Sequence, residues 1–220
     1  MEALDKVRLM NCLGDSITQG VGNGDISWVD YLREWMPDWR INKYGVAGAI
    51  ITNCRDKDDS FVQRFLAMET GADAVVIFGG VNDFNHGIPL GSRTEDGEHP
   101  FSEDLGTFYG AFSYLCREVW RRNPTGTVLV VTPIRSRDFK DYPHWNTKNQ
   151  AGFKLIDYRN AMLEVCRHYN IPVLDLFSCG GMTPDIPEVR AAWMPDGLHP
   201  NERGYRKLTR KIYHFIESSI

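Results

Sequence analysis

The sequence predicts an α/β fold, a three-layer α/β/α sandwich around a five-stranded parallel sheet with strand order 2-1-3-4-5. Short apolar runs, which are typical of buried strands, alternate five times with segments of helical periodicity. The run over 72–78 is almost continuously apolar, as expected of a strand that helices cover on both faces. The strand order follows from right-handed crossovers and from the topology that such sheets favour.

The strands are predicted from short apolar runs that end at glycine or polar residues. Each run is short enough for a strand and too short for a typical helix. The predicted strands cover 7–13, 39–44, 72–78, 127–132 and 171–177.

Cap residues and apolar periodicity predict the helices. Ser27 is placed to cap a helix over 28–36, whose apolar residues fall on one face and which Pro37 ends. Ser60 is placed to cap a second helix over 60–69. Further helices are predicted over 104–122, 153–169 and 201–217, and the segments 84–102, 133–150 and 178–195 are predicted to be long loops.

Length and composition indicate one domain with a sizeable core. The chain has 220 residues, of which 42% are hydrophobic and 25% charged, as in ordinary globular proteins. No repeat, low-complexity tract or linker divides it. We therefore expect a single domain over 1–220.

Charge and hydropathy argue against nucleic acid and membrane partners. The net charge is −4 without a basic block, and no run of eighteen apolar residues could span a bilayer. The first eight residues contain no apolar signal core. Five cysteines without a CxxC pair fit a reducing compartment better than a disulfide framework. We expect a cytoplasmic protein, unless a signal peptide has been trimmed; the oligomeric state stays open.

Polar residues and glycines follow the predicted strands at their carboxyl ends. Ser16 follows strand one, Gly48 strand two and Asn82 strand three, and Asp196 and His199 follow strand five. In a parallel sheet these ends lie on one edge. A nucleophile, a base, an acid that orients the base and oxyanion donors are the groups that an acyl-transfer site requires.

The residue types indicate the role of each group. Ser16 would attack a carbonyl, and His199 would take its proton and return it to the leaving alcohol. Asp196, three residues earlier, can hold the tautomer of His199. The backbone N–H groups of Ser16 and Gly48 and the side-chain amide of Asn82 would bind the oxyanion.

These segments resemble the ordered blocks of the SGNH hydrolases, also called GDSL esterases and lipases. On this resemblance, the family's serine, glycine, asparagine and histidine fall on Ser16, Gly48, Asn82 and His199, and its acid falls on Asp196. The resemblance implies a three-layer α/β/α fold, hydrolysis of carboxylic esters, and no metal or organic cofactor. The matching segments are Gly14-Asp15-Ser16-Ile17, Gly45-Val46-Ala47-Gly48, Gly80-Val81-Asn82-Asp83 and Asp196-Gly197-Leu198-His199, with isoleucine where the family name has leucine.

The long loops favour a short-acyl ester with a polar, sugar-like alcohol, such as an acylated carbohydrate, as the substrate. They carry charged residues beside tryptophans and lack the contiguous apolar surface that a long acyl chain needs for burial. The alternative is that the loops are only solvated surface. The residues in question are Arg93, Glu95, Asp96, Glu98, His99, Arg135, Arg137, Asp138, Lys140, Asp141, His144, Trp145, Asp185, Glu188, Arg190 and Trp193.

Two other functions are compatible with parts of the same sequence. The glycine-rich loop over 14–24 fits a flavodoxin-like module that binds a flavin or a nucleotide phosphate, although it lacks the P-loop lysine and the full dinucleotide fingerprint. The Asp196 and His199 pair favours the enzyme, because a phosphate binder does not need it. An acyltransferase would use the same residues with an acceptor alcohol in place of water. Gly45 also fits the turn assigned to Gly48.

The remaining polar residues are predicted to be structural or solvated. Asp83 is expected to pair with a nearby basic group. The histidines at 86, 99 and 144 lack metal-ligand spacing and are expected on the solvated surface. The cysteines at 12, 116 and 166 fall in apolar patterns and are expected in the core.

Overall fold

The computed structural model describes residues 7–54, 59–94, 97–98, 100–137, 139 and 141–220. Its sheet has five parallel strands in the order 2-1-3-4-5, which confirms the predicted topology. The strands are β1 (Arg8–Gly14), β2 (Trp39–Gly45), β3 (Ala74–Phe78), β4 (Thr127–Val131) and β5 (Val173–Leu174). Outside the described residues lie the N-terminal segment 1–6, the charged residues at 55–58, and Glu95, Asp96, His99, Asp138 and Lys140.

The helices cover both faces of the sheet and complete a three-layer α/β/α sandwich. They are α1 (Ser16–Gln19), α2 (Trp28–Trp35), α3 (Phe61–Arg64), α4 (Val81–Asn85), α5 (Phe108–Arg122), α6 (Leu155–His168), α7 (Leu176–Cys179), α8 (Pro187–Trp193) and α9 (Glu202–Glu217). Residues of α2 and α9 pack on one face, and residues of α3, α5 and α6 pack on the other. In the described part of the chain, no helix is both long enough and apolar enough to cross a bilayer.

Strand side chains alternate between two hydrophobic clusters, as the period of two of a strand requires. Leu9 and Leu13 of β1 pack with α3, α5 and α6, whereas Met10 and Cys12 pack with α2 and α9. Every residue of β3 is buried, as predicted for a strand covered on both faces. The predicted core thiols at 12, 116 and 166 are buried, and those at 54 and 179 are exposed.

The helix predicted over 60–69 is shorter than expected. It forms only α3, followed by a 3₁₀ turn over Phe65–Ala67, and Met68 is already extended. Arg122 donates to the carbonyls of Leu66 and Met68, and these bonds satisfy carbonyls that would otherwise be left unpaired where the helix stops.

The chain also departs from the prediction after β4. The strand predicted over 171–177 contributes only two residues to the sheet, because α7 begins at Leu176. A short strand at an open edge limits unwanted pairing with other chains. The loop predicted over 178–195 contains α8, which begins with Pro187 at a position where proline favours a helix start.

Candidate active site

The turn after β1 places Ser16 at the first residue of α1. Asp15 caps this helix, and its Oδ1 accepts a hydrogen bond of 3.0 Å from the N–H of Ile17. Ser16 is therefore not the cap itself, and helix geometry leaves its N–H without an intrahelical acceptor. A Cβ at Gly14 would lie 2.0 Å from Thr18 Oγ1, so only glycine allows α1 to pack this closely on the strand end.

The structure brings Ser16, His199 and Asp196 into one chain of hydrogen bonds. Ser16 Oγ lies 3.1 Å from His199 Nε2, and His199 Nδ1 lies 2.7 Å from Asp196 Oδ2. Both Ser16 and His199 are buried. In this arrangement the imidazole can accept the serine proton while the carboxylate holds its other nitrogen.

Backbone donors fix the carboxylate of Asp196. Its Oδ1 accepts from the N–H groups of Leu198 at 2.8 Å and His199 at 2.7 Å. Burial alone would raise the pKa of Asp196, but the hydrogen bonds from the His199 ring and from the two N–H groups outweigh it and lower that pKa. Asp196 is therefore ionised and oriented at neutral pH.

The glycine-rich loop after α1 packs against His199. Gly22 has a φ of 90°, and a Cβ there would lie 2.9 Å from the carbonyl oxygen of Pro200 and 3.1 Å from His199 Cβ. Tyr205 of α9 donates to the carbonyl of Val21 at 2.7 Å. Gly22 thus allows close packing against the segment that carries the imidazole.

Gly48 lies in a tight turn after β2. The N–H of Ala49 donates to the carbonyl of Val46 at 3.2 Å, and Gly48 has a φ of 77°, which favours glycine at this turn position. The N–H of Ala47 donates to Gln19 Oε1 at 2.7 Å and so ties the turn to α1. Gly45 is the last residue of β2, where it pairs with Gly14.

Asn82 lies in the first turn of α4, directly after β3, and is buried. Its Nδ2 donates to the carbonyl of Ala49 at 3.0 Å. This bond uses one of the two amide hydrogens, and the other can serve a ligand. The bond also links α4 to the turn that contains Gly48.

A cleft of about 290 Å³ opens between these segments. It is lined by Ser16, Val21, Ala47, Gly48, Asn82, Phe139, Tyr142, Leu198 and His199. Phe139 meets the His199 ring edge-on, with the ring centroids 5.2 Å apart. Sequence reasoning missed Phe139 and Tyr142, because it weighed the charges of the loop over 133–150 rather than the two aromatic residues among them.

Asp83 is structural, but its partners are not basic residues. Its carboxylate accepts from the N–H of Ile51 at 3.0 Å and from the N–H and hydroxyl of Thr52 at 3.1 Å each. Burial outweighs these hydrogen bonds and raises the pKa of Asp83 to about 6. Burial likewise raises the pKa of Asp15 to about 6, although the hydrogen bond from the N–H of Ile17 lowers it.

His144 lies at the protein surface, where it is half-buried and both of its ring nitrogens are hydrogen-bonded. His144 Nε2 lies 2.6 Å from Asp185 Oδ1, and its Nδ1 accepts from the N–H of Asn146 at 3.1 Å. Trp145 donates to the same aspartate at 3.0 Å, so the loops over 133–150 and 178–195 are joined here. His86 is half-buried, with its ring against Tyr142. No group of three or more potential metal ligands occurs among the residues that the structure describes.

Comparisons with known proteins identify similar sequences and structures. Residues 12–207 match the model of the GDSL-like lipase/acylhydrolase family. One solved structure is 37% identical, with a TM-score of 0.87, and the match covers 96% of each chain. A protein from Lactobacillus plantarum is 30% identical, with a TM-score of 0.86 and coverage of 97% of this chain and 98% of that one. A possible lipase from Chitinophaga pinensis shares the fold at 20% identity, with a TM-score of 0.73 and coverage of 96% and 98%. A comparison with curated proteins gave no match.

The raised pKa of Asp83 predicts a pH-dependent contribution to stability. Aspartate in an unfolded chain titrates near ~3.9, so Asp83 stabilises the fold below about pH 4, and this contribution is lost as the pH rises through about 6. The loss amounts to roughly 3 kcal/mol, because each pKa unit corresponds to about 1.4 kcal/mol. Asp83→Asn removes the titration and keeps an acceptor for Ile51 or Thr52.

Urea unfolding of the wild type and Asp83→Asn, measured from about pH 4 to about pH 7.5, tests this prediction. The free energy of unfolding of the wild type, minus that of the variant, should fall across this range. Subtracting the variant cancels the titrating groups that the charge of Asp83 does not influence. A difference that stays constant with pH would contradict the prediction.

Proposed function

Because the chain belongs to the GDSL-like lipase/acylhydrolase family, we propose that it is a serine ester hydrolase with Ser16, His199 and Asp196 as its catalytic triad. The observation that carries this proposal is the hydrogen-bond chain from Ser16 Oγ through the imidazole to Asp196. Ser16 and His199 line a cleft that is also lined by Gly48 and Asn82. A nucleophile, an oriented base and candidate oxyanion donors therefore face the same space.

Acylation of Ser16 begins with proton transfer to His199 Nε2 as Ser16 Oγ attacks the ester carbonyl. Asp196 stabilises the imidazolium that forms, and its lowered pKa keeps it ionised for this role. His199 then returns the proton to the departing alcohol. In deacylation, His199 takes a proton from water as the water oxygen attacks the carbonyl of acyl-Ser16, and it returns that proton to Ser16 Oγ when the acyl–oxygen bond breaks and the carboxylic acid leaves.

The oxyanion of each tetrahedral intermediate would be bound by the N–H groups of Ser16 and Gly48 and by the side-chain amide of Asn82. The bond from Asn82 to the carbonyl of Ala49 orients the amide before substrate arrives. A preoriented donor stabilises developing charge without the free-energy cost of rearranging at the moment of reaction.

The cleft supports a short acyl group. Its apolar walls include Val21, Ala47 and Leu198, and its volume is only about 290 Å³. Each methylene of a longer acyl chain that stays in water loses the ~0.8 kcal/mol of favourable free energy that its burial would provide. A polar or sugar-like alcohol is supported by Tyr142, which lines the cleft, and by the charged residues Arg137 and Asp141 in the same loop. Trp145 does not offer a free ring face on both sides, because Arg135 stacks 4.5 Å above it.

Ser16→Ala should abolish ester hydrolysis and labelling by a serine-directed phosphonate, because it removes the proposed nucleophile. Hydrolysis of p-nitrophenyl acetate and mass spectrometry of the labelled protein measure both effects. Thr18→Ser, two residues away on α1, is the matched control and should keep both. Labelling that persists in Ser16→Ala would place the nucleophile elsewhere.

Asn82→Ala should lower kcat by roughly 10²- to 10³-fold, the usual effect of losing one oxyanion donor. KM should change much less, since the donor acts mainly in the transition state. Steady-state kinetics on the best ester separates the two constants. An unchanged kcat with a large rise in KM would make Asn82 a ground-state binder instead.

Activity should peak at short acyl chains and extend to acetylated sugars. The test measures kcat/KM for p-nitrophenyl esters from acetyl to dodecanoyl and then for acetylated monosaccharides, with Ser16→Ala as the blank. A steady rise with chain length would refute the short-acyl preference. Indifference to acetylated sugars would refute the sugar-like alcohol.

A further inference from the structure

Arg64, the last residue of α3, joins the carboxyl ends of β1 and β2. Its Nη1 and Nη2 donate to the carbonyl of Gly14 at 3.2 and 3.3 Å, and Nη2 also donates to the carbonyl of Tyr44. Nη1 lies 3.5 Å from the carbonyl of Asp59. A single half-buried guanidinium thus binds two neighbouring strands where both end.

Each of these strand ends leads directly into a segment of the candidate site. Gly14 is followed by Asp15 and Ser16, and Tyr44 is followed by the turn that contains Gly48. The carbonyl of Gly14 also accepts from the N–H of Val46 at 3.2 Å, so it connects the two segments. Any movement of this carbonyl would change the spacing between the nucleophile and the Gly48 turn.

The geometry requires an arginine rather than any cation. A guanidinium presents its donors in a rigid plane and can bind carbonyls on two strands at once, whereas a lysine ammonium is a compact charge on a flexible stem. The Arg64 guanidinium also lies over Phe61, with Cζ 5.6 Å from the ring centroid. The carboxylates of Asp15 and Asp59 lie close enough to interact with its charge.

We propose that Arg64 is a positioning residue for ester hydrolysis, which holds the Ser16 turn and the Gly48 turn at the spacing that the reaction needs. This inference rests on the proposed function of the Ser16 site. Arg64 does not line the cleft, so it acts through the two backbone segments rather than on the substrate. Its loss should therefore affect the transition state more than substrate binding.

Arg122 provides a matched control. It also donates to two backbone carbonyls, those of Leu66 at 3.1 Å and Met68 at 2.9 Å, and it also lies over a phenylalanine ring, at 5.8 Å from Phe65. Neither of these carbonyls leads into the candidate site. Arg122→Met thus removes a comparable set of contacts without touching the two turns.

The experiment compares Arg64→Lys, Arg64→Met and Arg122→Met with the wild type. Circular dichroism establishes folding, ester hydrolysis gives kcat and KM, and a phosphonate gives the labelling rate of Ser16. Both Arg64 variants should lose about 10- to 100-fold in kcat and in labelling rate, because small misplacements of reacting groups have effects of this size. KM should stay within about threefold, and Arg122→Met should keep wild-type kinetics.

Several outcomes would overturn the proposal. If both Arg64 variants fold and match Arg122→Met in kcat, Arg64 does not position the site. If Arg64→Met fails to fold, Arg64→Lys decides: wild-type kcat in a folded Lys variant refutes the role, and a Lys variant that is also unfolded makes Arg64 purely structural. A wild type that neither hydrolyses esters nor reacts with the phosphonate would refute the proposed function instead.

Discussion

The hydrogen bond between Ser16 and His199 joins residues 183 positions apart in the chain, and it forms only when the whole sheet is assembled. Ser16 follows β1, an interior strand of the sheet, whereas His199 precedes α9, which packs beside α2. The contact of Gly22 with His199 and Pro200 and the bond from Tyr205 to Val21 bring the two segments together. The geometry of the candidate site is thus a product of global folding and not of local sequence.

Buried and half-buried polar groups tie the remaining segments of the candidate site to one another. Asn82 binds the carbonyl of Ala49, Asp83 binds the backbone at Ile51 and Thr52, and Arg64 binds the ends of β1 and β2. Burial of a carboxylate is unfavourable, and the raised pKa of Asp83 expresses that cost. Its three donors offset the cost only in part, so Asp83 fixes the site at some expense in stability at neutral pH.

The segments of the candidate site could be predicted from the sequence, whereas the contacts of the loops around it could not. A strand end is marked in the sequence by a short apolar run that stops at a glycine, so the polar residues that follow it can be located from the local pattern. The aromatic wall formed by Phe139 and Tyr142 and the pairing of His144 with Asp185 depend on contacts between distant loops, which leave none. The start of α8 at Pro187 was readable, since proline in a first turn is a known helix signal.

The sequence by itself determined the α/β class and the glycine turns, because hydrophobic periodicity and glycine positions act over a few residues. The strand order was predicted from the general rules of parallel-sheet topology rather than from any local pattern. It also determined which residue types stand at the strand ends. Only the tertiary structure decided the distances among Ser16, His199 and Asp196, the closeness of α1 to the strand ends, and the apolar walls and volume of the cleft. These depend on packing between segments far apart in the chain, and packing is set by the complementary shapes of whole layers rather than by any one stretch of sequence.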